Sequence, residues 1–215
     1  MDRRVLHVHL VVGAMLAALG VLIVDRPVAE FVRTSGIEGA WVFTQGTALF
    51  DLVLGREISK FLLCGVLVLA GAVLAPMMRT RDAGRALLYV GNVQLLATLL
   101  TGMLKNVSGR LRPFEVLAGG DWNATWFAGG SAFPSGHAGF YFGLCLPLAC
   151  LFPEWRWPLL ILAWFIAVAR VVDNVHYVAD VGASIAIAAL LAWSLAPVAG
   201  RAWRPVATTA ATPTG

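Results

Sequence analysis

Long apolar runs are the feature that most limits what this chain can fold into. The first, from Val5 to Val24, contains no Asp, Glu, Lys or Arg. About 20 apolar residues suffice for a helix to cross the hydrocarbon core of a bilayer. Five further apolar runs lie at Phe61–Met78, Ala86–Leu104, Ala138–Phe152, Pro158–Val172 and Val181–Ala199. The pattern predicts an all-α, polytopic membrane protein with six transmembrane helices.

Composition agrees with a membrane protein, because 13% of the residues are charged and 59% are hydrophobic, whereas soluble domains carry about 25% charged residues. The net charge of +4 does not indicate a nucleic-acid partner, since the cations form no single stripe. Cys64, Cys145 and Cys150 all fall inside apolar runs. They are typical of buried thiols rather than of a disulfide framework.

The predicted spans divide the chain into three regions. Residues 1–60 would hold the first span and an amphipathic segment on the membrane surface, whose helix would start near Asp25. Residues 61–199 would form the membrane core with the other five spans. Residues 200–215, rich in Thr, Ala and Pro, would be a disordered cytoplasmic tail. The apolar stretch Leu49–Leu54 contains Asp51 and is too short to span.

The basic residues indicate the orientation. Six spans place both termini on one side, together with the basic loop 79–85. The two sides carry equal numbers of basic residues, but those on the side of the termini lie in short loops and tails, where the positive-inside bias acts. That side is therefore predicted to be cytoplasmic. The connection 105–136 and the stretch 170–180 would then share the outer face.

The stretch Arg170-Val-Val-Asp-Asn-Val-His-Tyr-Val-Ala-Asp180 lies between two apolar runs. If a helix starts near Asp173 or Asn174, His176 and Asp180 sit four residues apart on one face. A carboxylate there can take the imidazole N–H and leave the other ring nitrogen free as a base or nucleophile. The pattern is plausible for attack on a phosphate, although it is weak by itself.

A second group of cations follows the third apolar run directly, at Lys105, Arg110 and Arg112, just before Pro113. Arginine binds phosphate by paired hydrogen bonds and lysine binds it as a point charge. The alternative is that these long side chains only extend to the membrane interface.

The third group, Phe133-Pro-Ser-Gly-His137, opens the fourth apolar run. Ser135 can cap that helix, whose first free N–H groups form an anion site. Gly136 allows the backbone to approach a ligand closely. The alternative is an ordinary helix start with His137 at the membrane interface.

Together the three stretches have the form Lys-x6-Arg-Pro, Pro-Ser-Gly-His and Arg-x5-His-x3-Asp. The chain thereby resembles the type 2 phosphatidic acid phosphatase superfamily, membrane lipid phosphatases that share a site with vanadium haloperoxidases. The resemblance covers roughly residues 60–195 and implies a bundle of that type. One position departs from the pattern, since Ala169 stands where the family usually has Ser before its Arg.

The resemblance implies a role for each motif residue. His176 would attack phosphorus and form a phosphohistidine, and Asp180 would orient it. His137 would protonate the leaving oxygen and then activate water. The phosphoryl oxygens would be held by Lys105, Arg112, Arg170, Ser135 and the Gly136 amide, with Arg110 as a further candidate. No metal or cofactor is required, because the cations supply the positive charge.

The resemblance implies a membrane lipid phosphatase. The Arg/Ala/Gly-rich composition and short loops are typical of a bacterial protein, so we expect an inner-membrane enzyme with its site facing the periplasm. The substrates that the family suggests are an isoprenyl diphosphate, phosphatidylglycerophosphate, phosphatidic acid and lipid A, and the expected partners are this lipid and the bilayer. One alternative is a lipid-phosphate binder or transporter without turnover. Another is a channel or transporter that uses Asn92 and Gln94 inside the third span, although these amides are more typical of helix–helix hydrogen bonds.

Overall fold

The computed structural model describes residues 3–203. Its α-helices are α1 (Arg4–Leu19), α2 (Asp25–Ser35), α3 (Trp41–Val53), α4 (Leu62–Leu74), α5 (Arg81–Ser108), α6 (Pro113–Leu117), α7 (Gly136–Leu151), α8 (Arg156–Val172) and α9 (Val178–Ser194). A 3₁₀ segment, Ala196–Trp203, follows α9. The described residues are therefore all-helical apart from turns and loops. The tail predicted to be disordered lies almost wholly outside the described residues.

Each predicted apolar run coincides with a helix. Three helical stretches are long and apolar enough to cross a membrane, namely Arg4–Ser35, Arg81–Leu117 and Pro153–Val172. The helices Leu62–Leu74, Gly136–Leu151 and Val178–Ser194 are apolar but shorter. The all-helical class is thus confirmed and three stretches are candidate membrane spans, while the count of six spans stays a prediction.

The N-terminal region differs from the expectation of two separate helices. A π-helical turn, Gly20–Val24, joins α1 to α2 without a break. Asp25 does not cap its own helix, because its Oδ1 accepts a 2.9 Å hydrogen bond from the Ala179 N–H of α9. The surface location predicted for the amphipathic segment stays a prediction.

Helix α7 lies at the centre of the bundle and packs against α5, α8 and α9. Its aromatic residues Phe140, Tyr141 and Phe142 are fully buried, although they follow one another on different sides of the helix. A helix that is apolar all round needs partners on every side, and this one has them. His137, in the first turn of α7, is therefore held at the end of the most enclosed element.

Helices α1 and α9 approach each other backbone to backbone. A Cβ placed on Gly13 would lie 2.6 Å from the Ala186 nitrogen, and one on Gly20 would lie 2.6 Å from the Ala179 nitrogen. From the other helix, a Cβ placed on Gly182 of α9 would lie 2.5 Å from the Ala17 nitrogen of α1. Small residues at such positions permit close helix packing in membranes. The contact brings the end of α1 to the start of α9.

Candidate active site

The first group of cations lies at the end of α5 and just beyond it. Lys105 is in the last turn of α5, and the chain then turns at Gly109, whose φ of +51° favours glycine. Arg112 precedes α6 as its N-cap. The Lys105 ammonium donates to the Ser131 carbonyl, and Nη2 of Arg112 lies 3.2 Å from Oγ of Ser131. Two predicted phosphate ligands therefore converge on one loop.

The second group caps α7 as predicted. Ser135 is the N-cap residue, and its hydroxyl accepts a long, 3.4 Å hydrogen bond from the Ala138 N–H. A Cβ placed on Gly136 would lie 3.5 Å from Cε of Lys105. The lysine side chain thus reaches the first turn of α7, where free backbone N–H groups favour an anion.

The third group joins α8 to α9. Arg170 is in the last turn of α8, and its Nη1 donates a 3.1 Å hydrogen bond to Asp173. The loop then turns at Asn174, which has a positive φ of 51°. His176 is in this loop and is only 4% exposed. The predicted helix start near Asp173 or Asn174 is therefore wrong, because α9 begins only after His176. Nδ1 of His176 lies 3.5 Å from Oδ2 of Asp180, which is too long for a good hydrogen bond.

Backbone hydrogen bonds connect the three groups. The Ser135 N–H donates to the Asp180 carbonyl at 3.0 Å, and the Ser184 hydroxyl donates to the Ser135 carbonyl at 2.8 Å. The Ser108 hydroxyl donates to the Phe133 carbonyl at 2.6 Å. The structure therefore brings together stretches that are well separated in the sequence, at one end of the bundle.

The environment of His176 favours its neutral form. Burial lowers the pKa of its imidazole well below the ordinary value of 6.5, and the positive charges of Lys105, Arg170 and Arg112 lower it further. These three cations are the predicted phosphate ligands. A neutral imidazole beside several cations is suited to nucleophilic attack on an anion.

The contacts of Arg110 differ from those expected of a phosphate ligand. It is 4% exposed, and its two terminal nitrogens donate 2.7 Å hydrogen bonds to Asp180 and Asp25. The faces of Trp126 and Tyr177 lie 4.6 Å and 4.0 Å from its guanidinium carbon. Its predicted contact with phosphate stays a prediction, and the observed contacts favour positioning of Asp180 instead.

Three residues near the two histidines were not found from the motifs. Asp25 completes the ion pairs of Arg110, and Asp51 and Arg56 contact His137. Their sequence signal was faint. Asp51 was an isolated acid in an apolar stretch, and nothing in the spacing linked it to a histidine 86 positions further on.

The intramembrane amides do not form the predicted helix–helix hydrogen bonds. Nδ2 of Asn92 donates to the Leu88 carbonyl of its own helix at 2.7 Å. The Gln94 amide is fully buried and finds no hydrogen-bond partner among residues 3–203. Within the same range, no group of three or more His, Cys, Asp or Glu side chains could hold a metal ion.

Comparison with known proteins gives the family. The family model of the PAP2 superfamily matches residues 86–204, which include all three motifs. The chain is 28% identical over 181 residues to a lipid A 1-phosphatase of Rhizobium etli, covering 79% of this chain and 74% of that protein. It is 34% identical over 104 residues to a lipid A 1-phosphatase of Rhizobium johnstonii, covering 47% of this chain and 43% of that protein. No solved structure matches the chain.

The family match and these relatives support a lipid phosphatase. The chain belongs to the PAP2 superfamily, the type 2 phosphatidic acid phosphatases, as its motifs predicted.

Proposed function

We propose that this protein removes a phosphate group from a membrane lipid through a phosphohistidine intermediate. The observation that carries the proposal is the buried His176, whose neutral form is favoured by the same cations that the motifs assign to phosphate binding. A neutral nucleophile beside preorganised positive charge is what phosphoryl transfer requires.

The first step is attack by His176. Because Nδ1 faces Asp180, Nε2 is the nitrogen that forms the bond to phosphorus. The bond from phosphorus to the lipid oxygen breaks, and that oxygen takes a proton from His137. In the second step, His137 accepts a proton from water as the water oxygen attacks phosphorus. The P–N bond breaks and His176 is restored.

Three cations stabilise the phosphoryl oxygens in both steps. Lys105, Arg112 and Arg170 supply the positive charge, and the first turn of α7 adds N–H donors. No metal is assigned a role, so phosphate release should continue in EDTA. Loss of activity that an added divalent metal restores would contradict this part of the proposal.

The favoured substrate is a phosphorylated glycolipid of the lipid A type. The relatives that support it are two lipid A 1-phosphatases. Among the described residues, an apolar groove of about 330 Å³ is lined by side chains that include Val168, Val171 and Val172 of α8. The proposal assigns an acyl chain to this groove, although Arg170 itself does not line it. Phosphatidic acid, phosphatidylglycerophosphate and isoprenyl diphosphates remain candidates for the same site.

The proposed location is the inner membrane of a bacterium, with the site at the periplasmic face. The bacterial sources of the relatives and the basic loop 79–85 support this placement. A substrate at the interface keeps its acyl chains in the bilayer while its phosphate meets the cations.

The test is phosphate release by the purified protein from a panel of these lipids. His176→Ala should abolish release, and His137→Ala should slow it by about a hundredfold or more, as expected for loss of a general acid. His7→Ala is the matched control, because His7 is exposed on α1 and its ring contacts Trp193 rather than the site. Phosphate bound to the wild-type protein after an acid-free quench, and absent from His176→Ala, would support the intermediate.

The outcome also separates the alternative function. Turnover unchanged by His176→Ala would overturn the nucleophile assignment. Tight binding of lipid phosphates without release by the wild-type protein would instead indicate a binder or transporter on the same scaffold.

A further inference from the structure

Helix α3 brings an acidic side chain to the candidate general acid. Oδ2 of Asp51 lies 2.9 Å from Nε2 of His137, and Oδ1 accepts a 2.8 Å hydrogen bond from the Tyr141 hydroxyl. The Asp51 side chain is 10% exposed and that of His137 is 19% exposed. Both oxygens of the carboxylate are thus engaged by side chains of α7, and the contact leaves Nδ1 as the ring nitrogen for a substrate.

Arg56 completes the cluster from the loop after α3. Its Nη1 lies 3.2 Å from Oδ2 of Asp51 and 2.7 Å from Nε2 of His137. Since arginine only donates, its contact with Nε2 requires that nitrogen to carry no proton. The contact between Nε2 and Oδ2 of Asp51 requires that nitrogen to carry a proton. The cluster can therefore support either protonation state at Nε2, and Asp51 is the partner of the protonated one.

The carboxylate is held as an anion in this place. Burial opposes its ionisation, but hydrogen bonds from His137 and Tyr141 and the charge of Arg56 outweigh burial and leave the pKa of Asp51 below its ordinary value. Helix α3 itself is fixed against α8. The rings of Phe43 and Phe165 stack with centroids 5.6 Å apart, and a Cβ on Gly46 would lie 2.6 Å from Cζ of Phe165.

We propose that Asp51 is the positioning residue of His137, which it orients through Nε2 so that Nδ1 exchanges protons with the substrate. The proposal rests on the phosphatase function proposed above and extends it to a segment outside the matched residues 86–204. Arg56 anchors the carboxylate between steps. Asp51 does not touch the substrate.

The proton balance follows from this geometry. Burial and the charges of Arg56 and Arg170 lower the pKa of His137 to about 4, although the hydrogen bond with Asp51 raises it. The proposal therefore requires the bound phosphate anion to favour the imidazolium form, which carries a proton on each nitrogen and shares the Nε2 proton with Asp51. As the bond between phosphorus and the lipid oxygen breaks, the Nδ1 proton passes to that oxygen, which keeps the bonding electron pair. When neutral His137 donates from Nε2 to Asp51 rather than accepting from Arg56, its free Nδ1 can accept a proton from water in the second step.

The experiment compares two leaving groups. A lipid alkoxide needs protonation as it leaves, whereas p-nitrophenolate does not. The lipid is whichever of phosphatidic acid and lipid A the wild-type protein hydrolyses faster. For Asp51→Asn, which keeps the shape and removes the charge, kcat on the lipid should fall by about a hundredfold. On p-nitrophenyl phosphate, formation of the phosphoenzyme in the first turnover should fall by only a few-fold, because this step needs no proton donor.

Controls separate positioning from folding. Glu57→Gln removes an exposed acid from the same loop and should leave both rates unchanged. Tyr141→Phe removes one anchor of Asp51 and should give a smaller loss with the same preference for the aryl substrate. Equal losses on both substrates for Asp51→Asn, or no loss on either, would overturn the positioning role.

Different results would overturn the proposed phosphatase function. If the wild-type protein released no phosphate, or if His176→Ala released it normally, the phosphatase mechanism itself would be wrong. If wild type and His176→Ala behave as proposed and Asp51→Asn shows no leaving-group effect, only the role of Asp51 is wrong.

Discussion

Arg110 donates a 2.7 Å hydrogen bond to Oδ1 of Asp180, the carboxylate that also lies beside the His176 ring. The other terminal nitrogen of Arg110 bonds to Asp25, from the far end of the N-terminal helical stretch. One buried guanidinium therefore lies between two buried carboxylates, and Oδ2 of Asp180 accepts the Tyr177 N–H at 2.8 Å. The orientation of Asp180 depends on this arrangement.

The first prediction concerns this buried ion-pair network. Arg110→Met leaves Asp25 and Asp180 buried without a cation, so the free energy of unfolding should fall by about 3–5 kcal/mol. Thermal unfolding of the protein in detergent measures the change. Arg33→Met is the matched control, because Arg33 is half exposed in its pair with Glu38 and should cost no more than about 1 kcal/mol. Similar losses for both variants would contradict the network.

A second prediction concerns pH. Because the pKa of His176 lies well below 6.5, its imidazole stays neutral as pH falls through 6.5 and becomes protonated only in more acid solution. In a plot of kcat/KM against pH, the fall on the acid side that reports protonation of His176 should therefore lie below pH 6.5. Arg112→Gln removes one of the charges that depress this pKa, so the fall should move to higher pH. A fall that does not move would argue against the electrostatic coupling.

A third prediction concerns the contact between α1 and α9. The Cβ of Gly13→Ala would meet the Ala186 nitrogen and the Gly182 carbonyl, which are backbone atoms and cannot rotate away. Such overpacking typically costs about 1–3 kcal/mol, measurable by thermal unfolding in detergent. Gly65→Ala on α4 provides the control, since its Cβ would meet nothing within 4 Å. If both variants unfold at the wild-type temperature, the close contact is not essential.

A fourth prediction concerns Ala169, where the family usually has Ser. Ala169 is fully buried next to Arg170. Ala169→Ser should preserve or raise phosphate release, because the added hydroxyl can donate to phosphate or orient Arg170. KM for the lipid substrate is the measurement. A marked fall in kcat would mean that the site is packed around alanine.

The sequence predicted the parts of the site that are close together in the chain. Ser135 as a helix cap follows from a local rule that operates over a few residues. The closeness of His176 and Asp180 was also predicted, but on a shared helix face, whereas His176 lies in the loop before α9. The convergence of the three motifs on one face was predicted from the alternation of spans.

The carboxylates outside the motifs could not be predicted in the same way. The contact of Asp25 with Arg110 joins residues 85 positions apart, and it depends on the crossing of α1 and α9. Spacing rules do not report such distances. The helical continuation through Gly20–Val24 was also missed, because the Asp25–Pro27 pattern is typical of a new helix start.

The close contact between α1 and α9 has a consequence for how this protein could be divided or recombined. Residues 86–204 contain every motif residue, yet carboxylates before residue 60 support both candidate catalytic histidines. Asp51 contacts His137 directly, and Asp25 bonds to Arg110, which in turn bonds to Asp180 beside His176. A chimera joining this motif region to the N-terminal part of another family member would keep the motifs intact. It would need its own carboxylate in the place of Asp25 to bond to Arg110, and small residues opposite Ala179 and Ala186 to allow the same close approach. The N-terminal helices and the motif region would therefore have to be exchanged together.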